Sequence, residues 1–429
     1  MSEGIKLSEV CNIKGGSGFP EKYQGKKAGN YPFIKVSDMN LPENRQTITK
    51  ANNYVDDNLV KSLGLTVFPK NTIVFAKVGA AVYLNKRRIL SEDTIIDNNM
   101  MGVVPHHIDS FFLYYLLLNV DLSIFIQPGA LPSVNQNIVG NLLIPNYRLE
   151  RQVHIRNILG SIDRAIAHTE ALIEKYQQIK AGLMHDLFTR GIGADGKLRP
   201  TREEAPELYQ ESAIGWIPRE WELKPLEYGL SASPKNGYSP KEVENWQGVY
   251  VLGLSCLTKN GFSPAHLKNA PKTALRSSAK LEDGDFLISR SNTQELVGLC
   301  GIYRDIGHDT IYPDLMMKLR LNRNVVAEFL EQYLLSQATR QRISAIAVGT
   351  SGSMVKINAT TLKSLKVVYP DPSEQKEIVN KLRPIMNHIR CLETQLNKLQ
   401  KQKSGLMHDL LTGKVPVKVN PDEVDHISN

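Results

Sequence analysis

Gly182-Leu183-Met184-His185-Asp186-Leu187 recurs 223 residues later as Gly405-Leu406-Met407-His408-Asp409-Leu410. The same offset, without a gap, aligns the residues that precede the two copies. It matches Gln152 with Gln375, and it also matches the apolar residues that follow Gln152 with those that follow Gln375, as far as the two hexapeptides. A repeat of this length indicates a duplicated architecture. The chain of 429 residues therefore consists of two halves, and each half ends in the same kind of segment.

Both repeated segments have the heptad pattern of a coiled coil, with seam residues that alternate in steps of four and three. The first seam consists of Ile155, Leu159, Ile162, Ile166, Thr169, Ile173, Tyr176, Lys180, Leu183 and Leu187. The second consists of Ile378, Leu382, Ile385, Ile389, Leu392, Leu396, Leu399, Lys403, Leu406 and Leu410. We predict two long helices that pair in antiparallel orientation, because a twofold axis crossing a helix and its copy reverses one of them. Gly191 and Gly413 lie where C-terminal stops are expected.

One seam position is polar in both halves, where it is occupied by Lys180 and Lys403. A polar residue in a seam costs stability and can fix the register and the partner of a coiled coil. Alternatively, both lysines lie near a frayed helix end and extend their ammonium groups to solvent. The sequence leaves both interpretations open.

The globular halves repeat more loosely, as the same order of short elements with different side chains. The turn and strand at 71–77 match those at 284–290, the helical patches 111–119 and 326–335 follow, and glycine loops come next. We predict an α+β fold with two tandem, mixed or β-rich globular domains, each followed by a long helix, and pseudo-twofold symmetry. The predicted boundaries are 1–148 for the first domain, 149–190 for its helix, 191–215 for a linker, 216–371 for the second domain, 372–412 for its helix and 413–429 for a C-terminal tail.

The composition is that of a soluble globular protein, with 41% hydrophobic and 7% aromatic residues. No apolar run approaches the roughly 18 residues needed to span a bilayer, and the N-terminus resembles no secretion signal. Four cysteines without CxxC spacing predict free thiols, and we expect a cytoplasmic protein. Lysine and arginine exceed aspartate and glutamate by 8. This excess permits a polyanionic partner without establishing one.

Motifs that could carry catalysis do not meet the requirements of their chemistry. The run from Gly191 to Lys197 resembles a phosphate loop, but Leu198 replaces the hydroxyl residue that would bind magnesium, and the segment follows a helix. His185 and Asp186 are adjacent on a predicted helix, so their side chains point about 100° apart. His106-His107 lacks further ligands at metal spacing. We predict no catalytic residue, no metal site and no cofactor bound by this chain.

Several segments, taken in their order and duplication, resemble the DNA-specificity subunit of type I restriction–modification systems. They are Lys403–Lys414, Gly15–Pro20, Phe33–Asp38 and the motif Ile217-Pro218-x-x-Trp221, which has no counterpart in the first half. The resemblance implies that each globular half reads one part of a split, asymmetric DNA site. It also implies that the helices set the spacing and dock two methyltransferase subunits.

The resemblance further implies a subunit that is not an enzyme by itself. The complex is expected to use S-adenosylmethionine, together with ATP and Mg²⁺ where two restriction subunits with nuclease and translocase activity are present. An alternative function is a coiled-coil adaptor that binds proteins without sequence-specific binding of DNA.

Candidate DNA contacts are basic, hydroxyl and amide side chains in loops, since these groups bind phosphates and base edges. In the first half they are Lys77, Lys86, Arg87, Arg88, Ser133, Asn135 and Gln136. In the second half they are Arg290, Ser291, Asn292, Arg304, Arg340, Arg342, Ser351 and Ser353. Lys77 and Arg290 are the strongest candidates, because they follow matching strands. The predicted partner-docking residues are His185, Asp186, Leu187, Phe188, His408, Asp409, Leu410 and Leu411.

Overall fold

The structure, a computed structural model, describes residues 4–126, 132–349 and 354–415. The chain divides into two compact units. Unit 1 combines Met1–Glu170 with Thr394–Asn429, and unit 2 is Ala171–Glu393. Each unit therefore contains one globular half, the first part of the long helix that follows it, and the last part of the other long helix.

Unit 1 is built on a mixed sheet and a smaller second sheet. Its strands are β1 (Gly4–Lys6), β2 (Cys11–Gly15), β3 (Tyr31–Ile34), β4 (Thr47–Ile48), β5 (Asn53–Val55), β6 (Val67–Phe68), β7 (Ile73–Ala76), β8 (Arg88–Leu90), β9 (Thr94–Ile96), β10 (Met100–Pro105) and β11 (Leu143–Pro145). One sheet has the order β2-β10-β7-β8-β4, a second has the order β5-β3-β9-β6, and β1 pairs with β11. The helices are α1 (Leu7–Val10), α2 (Asp57–Leu63), α3 (Ser110–Asn119), α4 (Gln136–Gly140) and α5 (Leu149–Thr189).

Unit 2 repeats the central strand order of unit 1. Its strands are β12 (Tyr209–Ser212), β13 (Gly215–Pro218), β14 (Glu222–Pro225), β15 (Leu230–Asn236), β16 (Val249–Leu252), β17 (Leu257–Thr258), β18 (Gly261–Phe262), β19 (Leu267–Ala270), β20 (Phe286–Ser289), β21 (Ser291–Asn292), β22 (Cys300–Ile302), β23 (Asp309–Ile311), β24 (Met316–Leu321), β25 (Val355–Lys356) and β26 (Lys366–Tyr369). The order β15-β24-β20 corresponds to β2-β10-β7, and β14 pairs with β26 as β1 pairs with β11. The helices are α6 (Ala327–Leu335), α7 (Gln337–Ile346), α8 (Ala359–Ser364) and α9 (Pro372–Leu411).

The long helices α5 and α9 form where the heptad pattern predicts helices, and the predicted fold class is confirmed. Every seam residue is buried or half-buried, which agrees with the apolar face that a coiled coil requires. Gly191 and Gly413 follow the helix ends with φ of 66° and 75°, in the left-handed region that glycine adopts without strain.

The helical parts of each unit run antiparallel. In unit 1, Ile155 and Leu159 share a core with Leu410 and Leu411, so the beginning of α5 meets the end of α9. In unit 2, the core that contains Leu187 also contains residues from the beginning of α9. Burying an aliphatic side chain stabilises a fold by about 1.5–3 kcal/mol, so these contacts attach each globular half firmly to both helices.

Buried glutamines connect the globular parts to the helices. In unit 1 the Gln152 amide donates to the Tyr147 carbonyl and accepts from the Asp109 N–H, each at 2.8 Å. Gln375 makes the matching bonds in unit 2, which explains why this repeated pair is polar although both side chains are buried. Among the described residues, no helix has the length and apolarity that crossing a membrane requires. All four cysteines are free.

Candidate nucleic-acid interface

Lys77 lies directly after β7 and is fixed by its backbone. Its N–H donates to the Asn99 carbonyl at 2.8 Å, and its carbonyl accepts from the Val134 N–H at 2.9 Å. The side chain is half-buried and passes over Gly15, where an added Cβ would come within 2.7 Å of Lys77 Nζ. The glycine therefore leaves space for the lysine at the end of the sheet.

Arg290 holds the same position in unit 2, directly after β20. Its N–H donates to the Leu315 carbonyl at 2.9 Å, and its carbonyl accepts from the Ile357 N–H at 2.8 Å. Its Nε and the Oγ of the adjacent Ser291 are buried and lack a hydrogen-bond partner among the described residues. Each unsatisfied buried polar group costs about 1–3 kcal/mol. The end of β20 is therefore less completely hydrogen-bonded than the end of β7.

A glycine directly follows β2 in unit 1 and β15 in unit 2, and the glycine in unit 1 belongs to the segment Gly15–Pro20. A Cβ on Gly16 would lie 2.1 Å from the Asp97 carbonyl oxygen, and one on Gly237 would lie 2.2 Å from the Tyr312 carbonyl oxygen. No side chain fits at these distances. The two loops that follow β2 and β15 are thus held against the backbone in the same way.

Arg87 was predicted to contact DNA, but the structure places its side chain in the core of unit 1. Arg87 is 1% exposed, lies over the Phe75 ring, and donates to the Val120 carbonyl at 3.1 Å and to Asn85 Oδ1 at 3.0 Å. Burial lowers the pKa of Arg87 to about 10. Its guanidinium cannot reach a DNA surface in this conformation, because the loop folds it inward.

The neighbours of Arg87 are also engaged within the protein. Arg88 is half-buried and donates to the Met39 carbonyl at 2.9 Å and to the carbonyl of Asn44. Lys86 is half-buried and hydrogen-bonded to Asn40 Oδ1. Arg88 thus fixes a turn through its guanidinium, while Lys86 makes one polar contact near the surface.

Ser133, Asn135 and Gln136 form the loop that leads into α4. Ser133 forms a β-bridge with Val78, next to Lys77. Asn135 is exposed and caps α4, since its Oδ1 accepts from the Asn137 N–H at 2.8 Å. Gln136 is exposed. This loop and Lys77 therefore lie together at one end of the sheet.

The basic candidates of unit 2 fall into two groups. Arg340 donates to the Val297 carbonyl at 2.6 Å, and Arg342 donates to the Lys366 carbonyl at 2.8 Å. Both support the local fold. Arg304 is 59% exposed, with Asp283 at 3.5 Å, and its guanidinium remains accessible.

The remaining polar candidates of unit 2 are small. Asn292 is half-buried, and its Oδ1 accepts from the Thr293 N–H at 2.9 Å. Ser351 and Ser353 lie outside the described residues.

A lysine-rich segment escaped the sequence reasoning. It runs from 14 to 35 and contains Lys14, Lys22, Lys26, Lys27 and Lys35 with Glu21 as its one acidic residue. Lys22 Nζ lies 4.8 Å from the centre of the Tyr23 ring, and the segment begins beside Lys77. The density of lysines over this short stretch of sequence was the signal that could have identified it.

The docking residues on α5 divide into exposed and buried side chains. His185 is exposed and Asp186 is half-buried, with Arg190 at 4.0 Å. Leu187 and Phe188 are 1% and 8% exposed and belong to the core of unit 2. The expectation that these two supply an apolar docking surface is corrected, because both side chains are buried in the core of unit 2.

The same division holds at the end of α9. His408 is exposed and Asp409 is half-buried, whereas Leu410 and Leu411 are 5% and 2% exposed in the core of unit 1. The polar members of both hexapeptides therefore remain at the surface, and the apolar members attach the helices to the globular parts.

A groove of about 660 Å³ in unit 2 runs beside the exposed residue His185. Trp216, Tyr333 and Arg342 contribute to its lining, together with Met184 of α5. Among the described residues, no cluster of histidine, cysteine, aspartate or glutamate is arranged to hold a metal ion.

Comparison with known proteins gives one consistent result. The family model described as "Type I restriction modification DNA specificity domain" matches residues 2–178 and 218–401. The chain is 25% identical over 360 residues to the type I restriction enzyme MjaVIII specificity subunit of Methanocaldococcus jannaschii, covering 79% of this chain and 76% of that protein. It is 26% identical over 415 residues to the putative MjaX specificity subunit of the same organism, covering 92% and 89%.

A solved structure has the same fold. The type I restriction–modification S subunit from M. genitalium superposes with a TM-score of 0.53 at 13% identity, covering 97% of this chain and 96% of that one.

Proposed function

Because the chain belongs to the type I restriction–modification DNA specificity family, we propose that it binds one split, asymmetric DNA sequence and reads one half with each globular domain. The domains that read DNA are 1–148 and 216–371. The observation that carries this proposal is the equivalent placement of Lys77 and Arg290, which have the same backbone anchoring at the ends of matching strands. Different side chains on equivalent backbones suit a protein that reads two different half-sites.

The chemistry of the two residues supports asymmetric reading. Arginine binds guanine O6 and N7 through two parallel donors, whereas lysine offers a compact ammonium to guanine or phosphate. The lysine-rich segment from 14 to 35 adds phosphate contacts that position the first domain without reading bases. The second domain lacks a segment of comparable charge at the matching position, 235–246, which contains Lys235, Lys241, Glu242 and Glu244.

The helices α5 and α9 act as the spacer ruler and as the docking platform. A fixed length of helix between two readers selects half-sites about one DNA turn, roughly 10 bp, apart. We assign docking of two methyltransferase subunits to the exposed His185 and His408 with Asp186 and Asp409. The groove beside His185 supports this assignment on α5.

The subunit is not itself an enzyme, as its family assignment implies. S-adenosylmethionine would be bound by the methyltransferase subunits, and ATP and Mg²⁺ by two restriction subunits where these are present. We place the complex in the cytoplasm. The alternative function, a protein adaptor without sequence-specific binding of DNA, is not favoured by the family match.

The test is to map methylated adenines in DNA modified by the complex of this chain with its methyltransferase. We expect one split motif. Lys77→Ala should relax one half of the motif, Arg290→Ala should relax the other, and each should reduce the slope of log affinity against log salt by about 1 where it removes a phosphate contact.

The control variant is Lys61→Ala, which removes an exposed lysine from α2 in the first domain. It should leave both half-sites unchanged. Modification without a split motif, or a change in both half-sites with either single variant, would contradict the proposal.

A further inference from the structure

The polar seam position occupied by Lys403 is part of a hydrogen-bonded group in unit 1. Lys403 Nζ lies 2.6 Å from Asp163 Oδ1, with side chains 24% and 20% exposed. The other oxygen of Asp163 accepts a hydrogen bond from the Tyr115 hydroxyl at 2.8 Å. Three elements thus meet at one carboxylate: α9 through Lys403, α5 through Asp163 and α3 through Tyr115.

This group excludes the interpretation of Lys403 as a residue at a frayed end. Its ammonium is directed across the helix pair toward Asp163 and lies 5.8 Å from the centre of the Tyr115 ring. Partly buried, charge-assisted hydrogen bonds of this geometry are specific in position, even where their net contribution to stability is small.

The aliphatic contacts between the two helices do not by themselves distinguish one heptad from the next. A heptad pattern of aliphatic residues is nearly unchanged by a shift of seven residues. Such a shift would bring Lys403 opposite Arg156 or Glu170. Arg156 is a like charge that already binds Asp109 at 2.8 Å, and Glu170 is already paired with an arginine. Asp163 therefore distinguishes the observed register from both neighbouring ones.

The matching lysine in unit 2 is also buried but has different surroundings. Lys180 is 8% exposed, and the carboxylates that act on it are Glu331 of α6 and Glu393 of α9. Burial lowers the pKa of Lys180. One seam position thus has carboxylates near it in both units, although they come from different elements.

We propose that Lys403, Asp163 and Tyr115 form a register lock, which fixes the alignment of α9 with α5 in unit 1 and thereby the length of the DNA spacer that the complex accepts. This inference rests on the proposed function for its effect on DNA. The alignment itself can be measured without DNA.

The first experiment measures register directly on the full chain. Spin labels are placed on exposed helix positions in unit 1 by Ala167→Cys and Gly405→Cys, in a background where the exposed Cys391 is replaced by serine. A shift of one heptad moves one label by about 10 Å along the helix. We expect one distance population with Lys403 present and a second one after Lys403→Met, which keeps the volume and removes the charge.

The second experiment counts methylated sites by spacer length with the chain in complex with its methyltransferase. A shift of about 10 Å along the helix corresponds to about three base pairs at roughly 3.4 Å each. Lys403→Met should therefore lower the preference for the main spacer over spacers about three base pairs longer or shorter by at least about tenfold, which corresponds to about 1.4 kcal/mol. Both half-site sequences should remain unchanged. Lys403→Arg, which keeps the charge, should restore the preference.

The matched control is Lys401→Met, an exposed lysine on the same helix, which should change neither readout. Tyr115→Phe removes the hydrogen bond to Asp163 without changing charge and should give a smaller shift in the same direction. A single unchanged distance population in folded Lys403→Met protein would overturn the lock. If the wild-type complex modified no split site, but Lys403→Met still changed the distance between the two spin labels, the proposed function would fail and the register lock would remain.

Discussion

The buried glutamine Gln375 gives the most quantitative prediction, because the structure specifies each bond that its removal breaks. Its Nε2 donates to the carbonyls of Pro370 and Asn324, both at 2.9 Å, and its Oε1 accepts from the Val326 N–H at 2.8 Å. The side chain is fully buried at the start of α9. Gln375→Ala therefore removes three hydrogen bonds and leaves their backbone partners in a site with little access to water.

The expected loss follows from the number of bonds. At about 1 kcal/mol for each hydrogen bond, Gln375→Ala should lower the free energy of unfolding of unit 2 by about 3 kcal/mol. Gln152 makes two of the matching bonds in unit 1, so Gln152→Ala should cost about 2 kcal/mol. Gln375→Met, which keeps most of the volume, should cost nearly as much as Gln375→Ala if hydrogen bonding dominates.

Urea denaturation can measure unit 2 separately, because Trp216, Trp221 and Trp246 are the three tryptophans of the chain and all lie in that unit. Their fluorescence reports Gln375→Ala, and hydrogen exchange of α3 amides reports Gln152→Ala in unit 1. The matched control for Gln375→Ala is Gln341→Ala, which removes an exposed glutamine of α7 in the same unit. The argument from hydrogen bonds would be refuted if Gln375→Ala lowered the free energy of unfolding by less than about 1 kcal/mol. It would also be refuted if Gln375→Met were as stable as the unsubstituted chain.

Two further predictions concern a glycine and a buried acid. Gly16→Ala should prevent unit 1 from folding normally, since its Cβ would meet backbone oxygen at 2.1 Å, whereas Gly18→Ala, with nothing within 4 Å, should not; circular dichroism distinguishes them, and equal spectra would contradict the argument. Burial raises the pKa of Glu331 above 4.5, so its ionisation makes unit 2 less stable as pH rises through that pKa. Glu331→Gln should remove this part of the pH dependence in urea titrations at pH 5 and pH 8, and an unchanged dependence would exclude the assignment.

The long helices could be predicted from the sequence because their signal is local. A heptad seam is read from residues three and four apart, and the structure gives helices Leu149–Thr189 and Pro372–Leu411. The strands that precede Lys77 and Arg290 were also recognisable, since buried strands are short apolar runs followed by polar residues. The pairing of sheets could not be derived in this way, because strand neighbours such as β2 and β10 are far apart in the chain.

The candidate site was harder to predict than the fold, because burial of a polar side chain is decided by distant residues. Arg87 looked like a surface cation, yet a carbonyl at Val120 and the ring of Phe75 bury it. Lys403 looked ambiguous, and only the approach of Asp163 from the other helix resolves its role. Local charge identifies candidates for binding, but contacts over long sequence separation decide which of them remain free.

The two halves stop being equivalent where the chain connects them differently. At the repeat offset, Glu374 corresponds to Arg151. Glu374 accepts from the Trp221 indole N–H at 3.0 Å and pairs with the linker residue Arg199 at 2.6 Å, whereas Arg151 stacks on the Tyr147 ring at 3.8 Å. Arg199 of the linker and Trp221 of the motif Ile217-Pro218-x-x-Trp221 reach the start of α9. An acid there therefore has buried partners, and its loss would cost several kcal/mol. Equivalent residues are thus the same where their partners belong to the repeated fold, as with Gln152 and Gln375. They differ where their partners come from the segment that joins the two halves, as with Arg151 and Glu374.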